Sequence, residues 1–147
     1  MALPVIFLAS CHDDDDLPDV NMGMELSGGV VADGSIYVVE GDTLFVDSVS
    51  ITSNITDKTA AIIALTYRLD GWPFVTVGQM PFATMVPTYN LEVGEHKFGF
   101  EGPIVQESKT PATAYSMYRL IVVSDSTQIP VTGTTRDIVD ISINKEK

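Results

Sequence analysis

Apolar and polar residues alternate with a period of two over most of the chain, and amphipathic helical periodicity is nearly absent. Such alternation is the pattern of β-strands that bury one face. It is clearest in residues 61–69, where Thr66 and Arg68 are predicted to point outward. The apolar residues that are predicted to face a core are Ile63, Leu65, Tyr67 and Leu69. The pattern therefore predicts an all-β chain.

The predicted strand at residues 43–51 changes its apolar parity midway. The apolar residues expected to face the core are Leu44 and Val46 in the first half and Val49 and Ile51 in the second half. An extra residue in one strand of a pair produces such a slip, so we predict a β-bulge near Asp47 and Ser48.

A tight hairpin is predicted at Asp70 and Gly71, directly after the strand at residues 61–69. Both residue types accept a positive φ, and an apolar strand resumes at residues 72–77. An Asp-Gly pair between two such strands is typical of a two-residue type I′ turn. The strand that carries Trp72 is therefore expected to pair with the one before it.

Shorter segments supply the remaining predicted strands. One face of a first strand holds Met22, Met24 and Leu26, and one face of a later strand holds His96, Phe98 and Phe100. Further strands are expected at residues 36–39, at residues 115–124 as a central strand covered on both faces, and at residues 138–143 as an added edge strand. Residues 103–114 are predicted to form a long loop, and Pro81 and Pro87 indicate a loop or an edge crossing.

Roughly eight short strands, separated by frequent turn residues, predict an antiparallel β-sandwich. A parallel sheet would need crossover helices, which the pattern does not offer. The phrases at residues 41–44 (GDTL), 67–71 (YRLDG) and 91–96 (LEVGEH) resemble strand and turn phrases of bacterial immunoglobulin-like and PKD-like domains. This resemblance covers residues 36–124 and implies an immunoglobulin-like fold. An antibody-type core is excluded, because the chain has one cysteine and Trp72 follows a turn.

The first residues are apolar and end in a motif of small residues. Residues 2–9 are too few for a membrane span of about 20 residues, but they suit the apolar core of an export signal. The motif Leu8-Ala9-Ser10-Cys11 resembles a bacterial lipobox, which implies that residues 1–10 are a signal and that Cys11 carries lipid. No basic residue precedes the run, so we expect a start upstream or a trimmed signal. The alternative is an apolar first strand with a buried thiol.

An acidic segment follows the cysteine. Residues 11–19 include four consecutive aspartates, Asp13 to Asp16, and are predicted to be an extended tether ahead of a domain at residues 20–147. In some Gram-negative bacteria, surface lipoproteins carry acidic residues at this place, so the resemblance implies an outer membrane lipoprotein at the cell surface. A plain spacer, or a protein that faces the periplasm, is the alternative. In either case the lipid on Cys11 makes the membrane a partner.

Charge and composition exclude some classes of partner. The formal net charge is −12, and the eight Lys and Arg residues are scattered, so nucleic acid is not an expected partner. The single cysteine permits no intrachain disulfide, so a folded domain depends on packing and on hydrogen bonds within sheets.

The sequence offers no catalytic motif, and we expect no enzyme, no cofactor and no metal site. His96 is the only histidine beyond the tether and shares its strand face with aromatic residues, so a structural histidine near a sheet end is predicted. His12 lies in the tether, and the run from Asp13 to Asp16 lacks the ligand spacing of a calcium loop. Paired carboxylates of a hydrolase remain an alternative that sequence does not locate.

The resulting functional hypothesis is a lipid-anchored, non-catalytic binding or structural module with a glycan or protein partner. Trp72 and Phe74 are the candidate ligand-binding residues, because they share a strand face on which sugar rings would stack. The alternative is that both rings belong to the core or to an interface. Three further hypotheses are a glycan-binding accessory protein of a polysaccharide uptake system, a carboxylate-dependent hydrolase, and an assembly subunit that accepts a partner strand at an open sheet edge.

Overall fold

The computed structural model describes residues 20–54, 60–107, 110–130 and 136–139. These residues form eleven β-strands and two short 3-10 helices, at Thr88–Asn90 and Ser126–Gln128. The strands are β1 (Val20–Ser27), β2 (Val30–Ala32), β3 (Ser35–Val39), β4 (Leu44–Asn54), β5 (Ala60–Ile62), β6 (Leu65–Leu69), β7 (Trp72–Val77), β8 (Thr84–Val86), β9 (Gly94–Gln106), β10 (Ala112–Val123) and β11 (Arg136–Val139). The predicted signal and tether, with Cys11, lie outside the described residues, as do residues 140–143 of the predicted last strand.

Two sheets pack face to face. One sheet has seven strands in the order β2-β3-β10-β9-β6-β7, with β5 also paired to β9, and the other has the order β11-β1-β4-β8. The core contains buried residues from both sheets, including Met22, Met24 and Leu44 from one and Phe98 and Phe100 from the other. The chain is an all-β sandwich of the immunoglobulin-like type, which confirms the predicted fold class.

The predicted bulge in β4 is confirmed. Glu25 of β1 pairs with Ser48 and Leu26 pairs with Val46, so Asp47 is the extra residue. Because of this slip, Val46 and Val49 both reach the core despite their opposite parity, and each is 1% exposed.

The strand predicted at residues 61–69 is interrupted, and the prediction that Ile63 points toward the core is wrong. Ile62 pairs with Ile104, whereas Thr66 pairs with Glu101, so β5 and β6 are offset by one residue along β9. Because of this offset Ile62 packs against the core, whereas Ile63 is 49% exposed.

The long loop predicted at residues 103–114 is also wrong, because β9 continues to Gln106 and β10 begins at Ala112. Pro103 pairs with Thr113, and its carbonyl accepts a 3.0 Å hydrogen bond from the amide of Ile63. Pro103 therefore lies beside the interruption between β5 and β6. A sheet tolerates proline at such an irregular position.

Two predictions about β3 and β10 need correction. The sandwich is not purely antiparallel, because β3 pairs with β10 in parallel. The long chain between these strands supplies the crossover that a parallel pair requires. β10 is central, as predicted, but its outer face is only partly covered, since Tyr115 and Arg119 are exposed.

Residues 78–88 cross from one sheet to the other, and they contain the edge strand β8, in line with the crossing that the two prolines indicated. The added edge strand predicted at residues 138–143 is observed as β11, antiparallel to β1, and begins two residues earlier at Arg136.

The turn at residues 70–71 defines one end of the sandwich, which we call the hairpin end. Residues 40–43 and 87–93 connect the two sheets at this end, where the Leu44 amide donates to the Thr88 hydroxyl at 3.0 Å and that hydroxyl donates to the Asp42 carbonyl at 2.7 Å. Val20 pairs with Asn54 at the other end of β4. At about 3.3 Å per residue, the length of β4 separates the two ends by over ~30 Å.

Candidate binding site at the hairpin end

The predicted hairpin is confirmed. Asp70 and Gly71 have φ values of 52° and 86°, both positive, as the central residues of a type I′ turn require. Leu69 and Trp72 pair directly on either side of the turn. The Asp-Gly pair thus places Trp72 directly after the turn, opposite Leu69.

Hydrogen bonds on both sides hold this turn in place. The Asp70 amide donates to the Lys97 carbonyl at 2.8 Å, and the Lys97 amide donates to Asp70 Oδ1 at 3.0 Å. Arg68 approaches the Gly71 carbonyl at 3.4 Å and pairs with Glu101 at 3.1 Å. The turn is therefore fixed to β9 and does not depend on its own two residues alone.

His96 links the turn to the connection between β8 and β9. Its Nδ1 lies 2.7 Å from Asp70 Oδ2, and its Nε2 lies 2.8 Å from the backbone carbonyl oxygen of Glu92. The ring shares the strand face of Phe98 and is partly buried. This placement agrees with the predicted structural histidine near a sheet end.

The Asp70 and His96 side chains shift each other's proton affinity. Partial burial acts to lower the pKa of His96, but the hydrogen bonds to Asp70 and to the Glu92 carbonyl outweigh burial and raise it. Burial likewise acts to raise the pKa of Asp70, yet the bonds from His96 and the Lys97 amide lower it overall. Both shifts favour the charged pair.

The structure separates the two aromatic residues that share a predicted strand face. Trp72 is 77% exposed, the largest exposed aromatic surface among the described residues. Phe74 is half-buried and packs against the core, with its ring centroid 6.2 Å from that of Tyr67. A bulge between the pairs Arg68 with Pro73 and Tyr67 with Val75 sets both Phe74 and Val75 opposite Tyr67, and both side chains pack against the core. Trp72 alone is left as the exposed ring of the predicted platform.

A shallow open groove lies at the hairpin end, and Gly71, the residue before Trp72, is one of its lining residues. It has a volume of about 470 Å³ and is lined by Asp70, Gly71, Glu95, His96 and Lys97. The groove presents hydrogen-bond donors and acceptors of both charges, and its volume falls in the range of small-ligand sites.

Several residues of the site carry no signal that sequence reasoning detects. The Glu92 contribution is a backbone carbonyl, and Arg119 pairs with Glu95 at 3.2 Å from a neighbouring strand. Glu92 and Arg119 lie far from Asp70 in the sequence, so only the pairing register of the strands shows that they come close to the turn. Only Asp70 and His96 stand out in the sequence, as a turn residue and as the sole histidine of the domain.

The described residues show neither a metal-ligand cluster nor a membrane-spanning helix. No group of three His, Cys, Asp or Glu side chains converges there, and no helix in those ranges has the length and hydropathy to cross a bilayer. The lipidation of Cys11 concerns a residue outside those ranges and stays a prediction, as do the expected absence of a cofactor and the ligand-binding roles of Trp72 and Phe74.

Comparisons with known proteins add one structural similarity. No family model matches the sequence, and no curated protein matches it significantly. A solved structure of Clostridium thermocellum CbhA fibronectin(III)-like modules is similar over 66% of this chain and 94% of that chain, with a TM-score of 0.39 and 13% identity.

Proposed function

We propose that this protein is a lipid-anchored, non-catalytic binding module of a bacterial cell envelope, and that it captures glycans with its hairpin end. The observation that carries the proposal is Trp72, which is 77% exposed at the tip of a turn that is fixed by hydrogen bonds to β9. Tryptophan is one of the residue types that most often dominate binding energy at interfaces, and here its ring is accessible to a ligand. Because hydrogen bonds hold the turn in place, the backbone that carries Trp72 needs little ordering on binding.

The direction of the chain supports this assignment. Val20, the first described residue, lies at the opposite end of β4 from the hairpin end. A lipid on Cys11 would attach to the domain through residues 11–19 and therefore at the end remote from Trp72. The candidate site would then point away from the membrane, toward ligands in the surroundings.

Glycans suit the site better than nucleic acids or anionic polymers. Asp70, Glu95, Lys97 and His96 line a groove at the same hairpin end as Trp72, so sugar hydroxyls bound there would meet both donors and acceptors. The net charge of −12 repels polyanions. The proposed ligand is therefore an uncharged glycan with an exposed apolar ring face.

The hydrolase alternative gains nothing from the carboxylates of this groove. A glycosidase acid needs a raised pKa, whereas the pKa of Asp70 is lowered by its bonds to His96 and Lys97. Glu95 is engaged by Arg119 at 3.2 Å. Both carboxylates serve the local structure, which favours binding without catalysis.

The alternative of partner-strand addition meets obstacles at two sheet edges. β7 carries Pro73 and the bulge at Phe74, and β8 has three residues followed directly by Pro87. Proline, bulges and short length are features that block edge pairing. Recognition through the Trp72 end is therefore preferred to assembly through these edges.

A glycan array tests the ligand hypothesis. The full chain should bind at least one class of neutral glycan, and Trp72→Ala should reduce that binding by about 30-fold, the equivalent of a hot-spot loss of about 2 kcal/mol. Met80→Ala is the matched control, because Met80 is 83% exposed and lies away from the turn. Silence across the array, or equal loss in both variants, would contradict the proposal.

A labelling experiment tests the anchor separately. Behind a complete lipoprotein signal, the chain should incorporate labelled fatty acid and sediment with membranes, whereas Cys11→Ala should do neither. Cys11 is the only cysteine, so no other thiol can accept the lipid. Unchanged fatty acid incorporation in the variant would overturn the anchoring hypothesis without affecting the ligand hypothesis.

A further inference from the structure

Both ring nitrogens of His96 face oxygen atoms that can only accept hydrogen bonds. One is the carboxylate oxygen Oδ2 of Asp70, at 2.7 Å, and the other is the backbone carbonyl oxygen of Glu92, at 2.8 Å. A neutral imidazole carries one N–H, so it would satisfy one partner and turn a lone pair toward the other. Only the imidazolium donates to both, so this geometry favours the charged ring over either neutral tautomer.

His96 therefore joins three segments in its protonated form. The Asp70 bond reaches the β6–β7 turn, the Glu92 bond reaches the connection between β8 and β9, and His96 itself belongs to β9. Trp72 follows that turn directly. The protonation state of His96 should therefore influence how well ordered the β6–β7 turn and the adjoining Trp72 are.

The charged groups around His96 favour this form on balance. Asp70 contacts the ring from the turn, and Glu92 adds a favourable charge interaction from the connection. Glu95 and Lys97 flank His96 on β9 and line the same groove. From β10, Arg119 pairs with Glu95. Together these groups support a raised His96 pKa against the opposing effect of burial.

We propose that His96 is a proton-operated clamp, which orders the hairpin end when protonated and loosens it when the proton leaves. As pH rises through the His96 titration, one of the two ring bonds is lost and the turn at Asp70 and Gly71 separates more readily from the β8–β9 connection. Ligand capture by Trp72 would then weaken at alkaline pH. This last step rests on the proposed function, whereas the clamp itself does not.

NMR of the full chain tests the clamp without any ligand. Below the titration midpoint, two ring N–H protons of His96 should be observable, and the midpoint should lie above the ordinary histidine value of 6.5. Above it, the exchange protection of the Asp70 amide should fall by about fivefold after correction for intrinsic exchange, as the loss of one hydrogen bond would give. A ring that titrates at or below 6.5, or protection that is constant with pH, would overturn the clamp.

Three variants make the test specific. His96→Gln should remove the pH dependence of Asp70 protection, whereas His12→Gln should keep it, since His12 is the only other histidine. Asp70→Asn should lower the His96 midpoint, because it removes the partner charge while a residue type that tolerates positive φ is kept. Persistence of the pH-dependent protection in His96→Gln would refute the proposal. Failure of glycan binding alone would leave the clamp intact and refute the ligand hypothesis.

Discussion

The Tyr67 hydroxyl donates a 2.6 Å hydrogen bond to the backbone carbonyl of Phe82. Tyr67 lies on β6 in the seven-stranded sheet, and Phe82 lies on the segment that crosses to the four-stranded sheet. Both residues are buried, and the Tyr67 ring also packs against Phe98 and Phe100 at centroid distances of 6.1 and 5.9 Å. Burial raises the pKa of Tyr67, so the hydroxyl remains a donor. This side chain thus ties the seven-stranded sheet to the segment that crosses to the other sheet.

Removal of that hydroxyl should destabilise the domain. Tyr67→Phe keeps the ring but leaves the buried Phe82 carbonyl without its donor, at a cost of about 1–3 kcal/mol. Tyr115→Phe is the matched control and should change stability by under ~0.5 kcal/mol, because Tyr115 is 41% exposed. Chemical denaturation measures both variants. Equal stability of Tyr67→Phe and the wild type would show that the bond contributes nothing.

The two faces of β6 should respond differently to truncation. Leu65 is fully buried, so Leu65→Ala should cost about 2–5 kcal/mol through lost burial and a cavity. Arg68 points outward and pairs with Glu101 at a partly exposed site, so Arg68→Ala should cost less than ~1 kcal/mol. Urea midpoints of the two variants decide the matter, and a larger loss for Arg68→Ala would reverse the assigned faces.

Gly102 should not accept a side chain. A Cβ atom built there would lie 1.9 Å from the Ala64 carbonyl oxygen, a backbone atom in the interruption between β5 and β6. Gly102→Ala should therefore cost about 3 kcal/mol or more, because the backbone must shift. Gly78→Ala, at a site with no atom within 4 Å, should be nearly neutral. Comparable thermal stability of the two variants would contradict the close approach seen in the structure.

Stability should depend on pH through Asp70 and His96. The raised pKa of His96 gives a contribution that is present below the unfolded value near 6.5 and is lost as pH rises through the folded pKa. The lowered pKa of Asp70 gives one that is present above 3.8 and is lost as pH falls through the folded pKa. The stability difference between wild type and Asp70→Asn should thus be greatest between pH ~4 and ~6.5. A difference that is constant from pH 3 to 9 would contradict the coupling.

Short-range chemistry explains which parts of this fold can be predicted from sequence. The alternation of Met22 and Met24, the parity slip at Asp47 and the Asp70-Gly71 turn all depend on residues close together in the chain. Ile63 alternates in phase with Leu65 and Tyr67, which predicts that it points inward. The one-residue offset of β5 from β6 along β9 instead leaves it exposed. That offset depends on a strand about 40 residues away, where Gly102 permits the close approach, and local periodicity does not report it.

The candidate site shows the same division. The hairpin is predictable, and so is the position of Trp72 after it, but the sequence pattern does not report that Trp72 is exposed while Phe74 packs against the core. The sole histidine of the domain is recognisable as structural, yet its two partners come from other segments. Tertiary register, which the sequence pattern does not contain, brings them together.

The fluorescence of Trp72 tests the central claim most directly, because it is the only tryptophan in the chain. A titration of the full chain with a glycan selected from the array should shift or quench this emission in a saturable manner at pH 6, where the His96 clamp is closed. Val93→Ala, which removes another exposed apolar side chain, should keep the same curve. The predicted result is a saturable change in the emission of the wild type. Calorimetry should then show that Trp72→Phe largely keeps the affinity for the glycan and that Trp72→Ala loses it. Glycan binding that leaves the Trp72 emission unchanged would place the site elsewhere and contradict the account.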